Sequence, residues 1–415
     1  MNRIVVVGIG ADGWAGLTDT AREAIQQAGV VVGGPRQLDL LPEAVAAERV
    51  TWPSPLRPAV KKLAEQHAER GMVVLASGDP MHHGIGRTLT EELGPHALRI
   101  LSHPGSVSLA CARMGWPVES TPVVSTLTSP LAVVLRHAGA GQHLLVLNRD
   151  TSTPAALAAF LTAHGFGGSR ITVLADLGGT ERSLRGFADQ ADYWAGQLPD
   201  SVSVSAIEFA GPRPVQESAG LPDDLFETDG QLTKRHVRAL TLAALAPRPG
   251  ELLWDVGGGS GSIAVEWLRA HDTTRAVTVE RDQARVGRIV RNAASLGVPR
   301  LQVVTGAAPD ALADLPTPDV VFVGGGLTAH GVFDACWSAL PVGGRFVTNA
   351  VTLESQALVM RLQKEHGGEL VKVDIAQTTP VGGFTGWRAA MTVVQWSVQK
   401  QAQKEHAQKE AGTQQ

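Results

Sequence analysis

The chain has 415 residues, of which 44% are hydrophobic, 18% charged and 5% aromatic, and it carries a formal net charge of −4. That length exceeds what one hydrophobic core organises, so two domains are expected. The acidic balance gives no long-range attraction for nucleic acid or anionic lipid, so any anionic ligand must be held by locally placed Arg and Lys.

Residues 4–7 form a short apolar run that Gly8, Gly10 and Asp12 interrupt. It is too brief for a signal-peptide core and reads as a first buried strand. No apolar stretch approaches the roughly 18 residues a membrane span needs, so a soluble, cytoplasmic protein is expected. Cys111 and Cys336 lie outside any CxxC or Cys/His spacing. They are expected as small core residues, with no disulfide framework and no metal site.

Along the first half, β-branched runs at 4–7, 30–32, 72–76, 144–147 and 171–174 alternate with helical periodicity at 18–28, 60–70 and 154–164. That alternation predicts an open α/β architecture. Prolines at 212, 214 and 222 break the pattern, which places a linker over 208–222 between domains spanning 1–207 and 223–398. The alternation restarts with strands at 252–256, 276–279, 301–304, 320–323 and 345–348, and a last strand at 389–394. Residues 399–415 are polar and repetitive, and are expected to be disordered. The halves share no motif order, so the chain reads as a fusion rather than a duplication.

In the first half, Val7-Gly8-Ile9-Gly10-Ala11-Asp12-Gly13 spells GxGxxG after a strand, with Thr18 as N-cap of the following helix. A dinucleotide reading fails one strand later, where Gly33-Gly34-Pro35 supplies no acid for a ribose. Ser77-Gly78-Asp79-Pro80 ends a buried strand and taken alone is ordinary turn chemistry. With Met81, the helix opening at Gly84-Ile85-Gly86-Arg87, and Pro104-Gly105-Ser106, the ordered set resembles the tetrapyrrole methylase family (class III methyltransferases), in its precorrin-6Y branch. The resemblance implies cofactor contacts at Gly78, Asp79 and Met81, and at Gly10. Two segments depart from it: Ala11 stands where the family has Pro, and Ser125-Thr126-Leu127-Thr128-Ser129 stands where Ser-Leu-His-Gly-Arg is common. The second departure removes a His and an Arg from the expected substrate contacts of this half.

The strongest local signal is in the second half. Leu252-Leu253-Trp254-Asp255-Val256 runs into Gly257-Gly258-Gly259-Ser260-Gly261, and a helix follows over 262–270. Glu280, at the end of the next strand, lies where a carboxylate accepts both hydrogens of a ribose diol. Thr305-Gly306-Ala307-Ala308 follows the third strand, where an adenine edge would lie, and Gly324-Gly325-Gly326 opens beside it. Nicotinamide dinucleotide is the rival ligand, but its loop is GxGxxG, with a helix N-terminus for pyrophosphate. The spacing here is GxGxG, which suits a ribose without phosphate. This set resembles the class I methyltransferase fold, a Rossmann-like sheet, and implies S-adenosyl-L-methionine.

Leu221-Pro222-Asp223-Asp224-Leu225-Phe226 and Thr233-Lys234-Arg235-His236-Val237-Arg238 resemble the opening of the precorrin-6Y decarboxylating methyltransferase domain. By that resemblance Thr233 contacts cofactor with residues 257–261, Glu280 and Ala307. Lys234, Arg235 and Arg238 would pair with substrate carboxylates, their alternative being a solvated helix face. Asn349, at the end of the fifth strand, joins the expected substrate contacts, and His236 is a proton-donor candidate by location only.

The whole therefore resembles a tetrapyrrole methylase fold fused to a class I methyltransferase fold. The implied activity is methylation of precorrin-6B at C5 and C15 with decarboxylation of the C12 acetate, in cobalamin biosynthesis, by a homo-oligomer. Two other readings stay open: a class I methylase for protein or RNA with the first half as recognition module, and a cofactor sensor whose first half has decayed. A basic groove or aromatic platform would support the former, and neither shows in this chain.

Overall fold

A computed structural model describes residues 3–67, 69–196 and 203–402. The chain divides into two compact units, Met1–Pro214 and Val215–Gln415. Most of the expected polar tail, from residue 403, lies outside the described residues.

The first unit opens with β1 (Ile4–Ile9), β2 (Val30–Gly33), β3 (Glu48–Thr51), β4 (Met72–Ser77) and β5 (Leu98–Leu101). These pair in parallel in the order β3-β2-β4-β1-β5. β1 and β4 are almost continuously apolar and buried, as strands covered on both faces must be. Helix Asp19–Gln26 buries Ala21 and Ile25 and starts at Thr18, whose side chain accepts the Ala21 N–H at 3.3 Å, the expected cap. The chain leaves β1 toward β2 on one side and leaves β4 toward β5 on the other. The ends of β1 and β4 therefore flank a switch point, where open α/β sheets leave a crevice.

A second sheet follows: β6 (Val123–Ser125), β7 (His143–Leu147), β8 (Arg170–Ala175), β9 (Arg182–Phe187) and β10 (Ser203–Glu208), in the order β6-β7-β10-β8-β9. Only the β6–β7 pair among these described strands is parallel. Sequence periodicity found β7 and β8 but not β9 or β10. β9 is an edge strand with Arg182, Ser183, Arg185 and Phe187 exposed, so it lacks an apolar run.

The second unit carries β11 (Leu252–Val256), β12 (Arg275–Glu280), β13 (Gln302–Thr305), β14 (Val320–Val323), β15 (Arg345–Ala350), β16 (Glu369–Val373), β17 (Ala376–Val381), β18 (Phe384–Ala389) and β19 (Val393–Gln399). The main sheet has the order β13-β12-β11-β14-β15-β19-β16, with β19 antiparallel to both neighbours. Its switch point lies between β11 and β14. The expected single last strand is in fact two, β18 and β19, and β17–β18 form a separate hairpin. Cys111 and Cys336 are buried, and burial pushes the Cys336 thiol up to about 12. No helix among the described residues is long and apolar enough to cross a membrane.

Candidate functional site

Each switch point carries a cleft. In the second unit the loops after β11, β12, β13 and β14 surround a cleft of about 820 Å³, counting the solvent-open space at its mouth. Gly257, Gly259, Glu280 and Ala307 line it, with Gln231, Arg281 and the Gly324–Gly326 turn. The turn after β11 needs its glycines for space. A Cβ at Gly258 would lie 2.1 Å from Thr278 Cγ2, and Gly259 has φ +60°. Ser260 and Gly261 do not line the cleft but shape the turn. Ser260 Oγ donates to the Gln231 carbonyl at 2.7 Å, and Gly261 precedes helix Ser262–Ala270.

Glu280 is 5% exposed, and its Oε2 accepts the Gly259 N–H at 2.9 Å while Oε1 accepts the Asp282 N–H at 3.0 Å. A carboxylate has about four acceptor positions, so two remain for vicinal hydroxyls. Asp255, on β11 beneath this turn, is 1% exposed. Burial pushes its carboxyl up to about 7 against a 3.3 Å hydrogen bond from Thr278 Oγ1. A buried acid with acceptor positions to spare, a glycine-rich turn and small residues at 306–308 fit S-adenosylmethionine.

The segment before helix Arg235–Leu245 is strapped over this turn. Helix Gln283–Ser295 presents Arg285, Arg288 and Arg291 one turn apart. Arg285 Nε meets Asp229 Oδ2 at 2.9 Å, Arg288 meets the same oxygen at 3.1 Å, and Arg291 meets Glu227 at 2.8 Å. The Arg285 hydrogen bond leads in holding the Asp229 carboxyl at about 2. Asn292 Nδ2 donates to the Glu227 and Ser260 carbonyls at 3.0 and 2.8 Å. The strap thus brings Gln231 into the cleft, a residue sequence reasoning missed because its place depends on a pairing more than 50 residues away.

The expected substrate contacts fare differently. Arg238 is 0% exposed. Its guanidinium donates to Glu266 at 2.5 Å, to Asp223 at 3.1 Å and to the carbonyls of Thr233 and Leu221. Glu266 in turn accepts the N–H groups of Gly220 and Leu221. Arg238 is therefore a buried clasp that folds the PDDLF segment, not a substrate contact; helix periodicity alone could not tell that its face turns inward. Asn349 is likewise engaged, donating to Thr241 Oγ1 at 2.9 Å and accepting from Gln395 at 2.9 Å. Its amide serves the packing of β15 against β19 and helix Arg235–Leu245. Arg235 donates to the Gly220 carbonyl at 2.8 Å, whereas Lys234 and His236 are exposed. Thr233 is half-buried and does not line the cleft.

In the first unit, Ile9, Gly10, Ser77, Gly78, Pro104 and Ser106 line a cleft of about 670 Å³, counting the solvent-open space at its mouth, with Leu174, Asp176, Leu177, Ser203 and Val204 on the side of the second sheet. Gly78 has φ +58°, donates its N–H to the Ile9 carbonyl at 2.9 Å, and would bring a Cβ within 2.9 Å of Gly105 Cα. Only glycine fits this turn. Asp79 Oδ1 accepts the Met81 N–H at 2.8 Å, and Met81 is half exposed; neither lines the cleft. At the departing segment, Arg149 Nε donates to the Thr126 carbonyl at 2.8 Å, and Thr126 Oγ1 donates to the Leu147 carbonyl at 2.9 Å. The segment is ordered without its expected His and Arg.

Residues 3–192 match the family model for tetrapyrrole (corrin/porphyrin) methylases, and residues 224–400 match that for the precorrin methyltransferase domain. A precorrin-6Y C(5,15)-methyltransferase (decarboxylating) from a Sinorhizobium species is 48% identical over 400 residues, covering 95% of each chain. The chain belongs to this family. A second precorrin-6Y methyltransferase, from Mycobacterium tuberculosis, is 46% identical across 96% of this chain and 100% of its own. Among solved structures, the C-terminal domain of precorrin-6Y C5,15-methyltransferase from Rhodobacter capsulatus is 50% identical, with a TM-score of 0.43, covering 45% of this chain and 100% of that one. The fold is thus a tetrapyrrole methylase half followed by a precorrin methyltransferase half, as expected from the motifs.

Proposed function

We propose that the chain methylates precorrin-6B at C5 and C15 and removes the C12 acetate carboxyl as carbon dioxide, using S-adenosylmethionine in both halves. The observation that carries this is a cleft at the switch point of each half, in a chain matched end to end by decarboxylating precorrin-6Y methyltransferases. The first half would serve C5, and the second C15 and the decarboxylation.

Bound S-adenosylmethionine supplies an electrophilic methyl on a sulfonium that leaves without protonation. The protein's part is then mainly positioning, with the ring carbon about 3–3.5 Å from the methyl and in line with the breaking C–S bond. In the second half Glu280 holds the ribose while the glycine turn accepts the cofactor against bare backbone. Gly257 and Gly259 complete that contact, and Lys234, at the end of the strap, and Arg235, which opens the next helix, would meet substrate carboxylates. In the first half Gly10 and Gly78 line the corresponding cleft, and Asp79 shapes the turn beside it by accepting the Met81 N–H. Each methylation replaces a hydrogen on the ring, so a proton departs. Decarboxylation leaves its electron pair in the conjugated macrocycle, and a proton then completes the methyl group.

A cytoplasmic homo-oligomer belongs to the same reading. The hairpin β17–β18 leaves Val381, Phe384 and Trp387 more than half exposed, an apolar surface suited to a second copy. The test of function is direct. Isothermal titration of the full chain should give two cofactor equivalents. Incubation with labelled cofactor and precorrin-6B should add two methyls and lose one carbon dioxide by mass. One methyl only, or an unchanged substrate mass, removes the assignment.

A further inference from the structure

The first cleft continues past its cofactor turns into a second opening bounded by Ala11, Arg36, Leu40, Asp176, Thr180 and Arg182. Ala11, Arg36, Leu40 and Asp176 line both spaces, so the two are one trough. Arg36 sits in the short helix Pro35–Asp39 that follows β2. Its neighbour Gln37 donates to Ser77 Oγ at 2.6 Å, which ties that helix to the end of β4 where Gly78 begins. The position of Arg36 relative to the cofactor turn is thereby set.

The opposite wall is equally constrained. Asp176 directly follows β8 at φ +53°, in the left-handed region that aspartate enters more readily than most non-glycine residues. Its carboxylate lies 3.5 Å from Arg36 and 3.0 Å from Arg182. Between them, Glu181 forms a forked pair with Arg113 at 2.6 and 2.7 Å and accepts the Gly178 N–H at 2.9 Å. Gly179 abuts Ala11, whose carbonyl would stand 2.8 Å from an added Cβ. The loop is built against the first glycine turn.

The Arg36 and Arg182 guanidinium groups flank the Asp176 carboxylate at the mouth of this trough, with Ala11 and Leu40 as an apolar floor. At 3.5 Å the Arg36 contact is an ion pair rather than a hydrogen bond, and the Arg36 side chain is 48% exposed. Its planar fork is available for bidentate contact with a carboxylate.

We propose that Arg36 and Arg182, spaced by Asp176, form a carboxylate-binding rim that seats the acidic side chains of a flat macrocycle against the first cofactor turn. This rests on reading the first half as a precorrin methylase, and it makes Arg36 a substrate-specificity residue.

The test uses the full chain with Arg36→Gln, Arg36→Lys and Arg182→Gln. Precorrin-6B is the substrate, with uroporphyrin, an octacarboxylate tetrapyrrole, as an equilibrium probe. Arg36→Gln should raise the KM for C5 methylation tenfold or more and leave kcat at saturation within twofold. Arg36→Lys should recover part of the loss, Arg182→Gln should repeat the KM rise, and uroporphyrin should bind both Gln variants more weakly. Cofactor titration should still give two equivalents. An unchanged KM in Arg36→Gln, with cofactor still bound in both halves, overturns the rim. Equal loss of kcat in Gln and Lys variants overturns it too, as the mark of a structural role. Failure of the wild-type first half to bind cofactor is a separate result that overturns the methylase reading on which the rim rests.

Discussion

Glu280 and Gly259 are joined across the second cleft, the carboxylate of one accepting the backbone N–H of the other at 2.9 Å. The acid that would hold a ribose thus also shapes the turn on which the cofactor would lie. Glu280→Ala should remove both roles and weaken cofactor binding at this half by about 10–100-fold, the scale of one or two charge-assisted hydrogen bonds. In calorimetry of the full chain one of two binding steps should move and the other stay.

Gly78→Ala tests the first half in the same way. At φ +58° an alanine is strained by about 1–3 kcal/mol, before the contact with Gly105 is counted. The product of precorrin-6B should then lack the C5 methyl, while cofactor binding in the second half persists. A variant that methylates C5 at the wild-type rate would contradict this placement.

The buried clasp of Arg238 predicts a stability defect rather than a binding defect. Arg238→Met leaves Glu266 charged and 5% exposed without its cation, a change that costs about 3–5 kcal/mol. Denaturant unfolding should show the loss in the second unit. A rise in substrate KM with unchanged stability would restore the substrate role for Arg238.

Asp255 gives a pH signature. Its carboxyl titrates near 7 when folded and near the ordinary 3.8 when unfolded, so the folded state holds its proton more tightly. Its stabilising contribution is full below about pH 4 and declines as pH rises through about 7. The difference in unfolding free energy between wild type and Asp255→Asn should therefore change across that window and be flat above it. A difference independent of pH would show that Asp255 is ionised in the fold.

Asp229 links the strap to the cleft, since it anchors the segment that carries Gln231. Asp229→Asn should accelerate cofactor dissociation several-fold, and Asp229→Glu should restore part of the retention. Stopped-flow displacement reads both. Because Asp229 is exposed and paired with Arg285 and Arg288, the wild-type dissociation rate should itself rise with salt and approach that of the Asn variant.

Much of this protein was legible in the linear chain because the deciding features are local. Glycines that must leave space, an acid one strand after a glycine turn, and Thr18 before an amphipathic helix all act within a few residues. The motif order likewise separated two different folds. Other features depended on partners far along the chain. The hairpin β17–β18 and the edge strand β9 bury too little for alternation to show. Arg238 and Lys234 look equivalent on a helical wheel, yet one is enclosed by Glu266, 28 residues on, and the other meets solvent.

By itself, then, the sequence determined where the backbone lies bare of side chains and which acid stands beside it, because absent side chains and strand-end spacing are properties of short segments. Only the tertiary structure decided which cations are enclosed and which stay exposed. A guanidinium's role depends on whether packing encloses it, as with Arg238, or leaves it at the mouth of a trough, as with Arg36, and that enclosure is set by residues brought in from distant strands and loops.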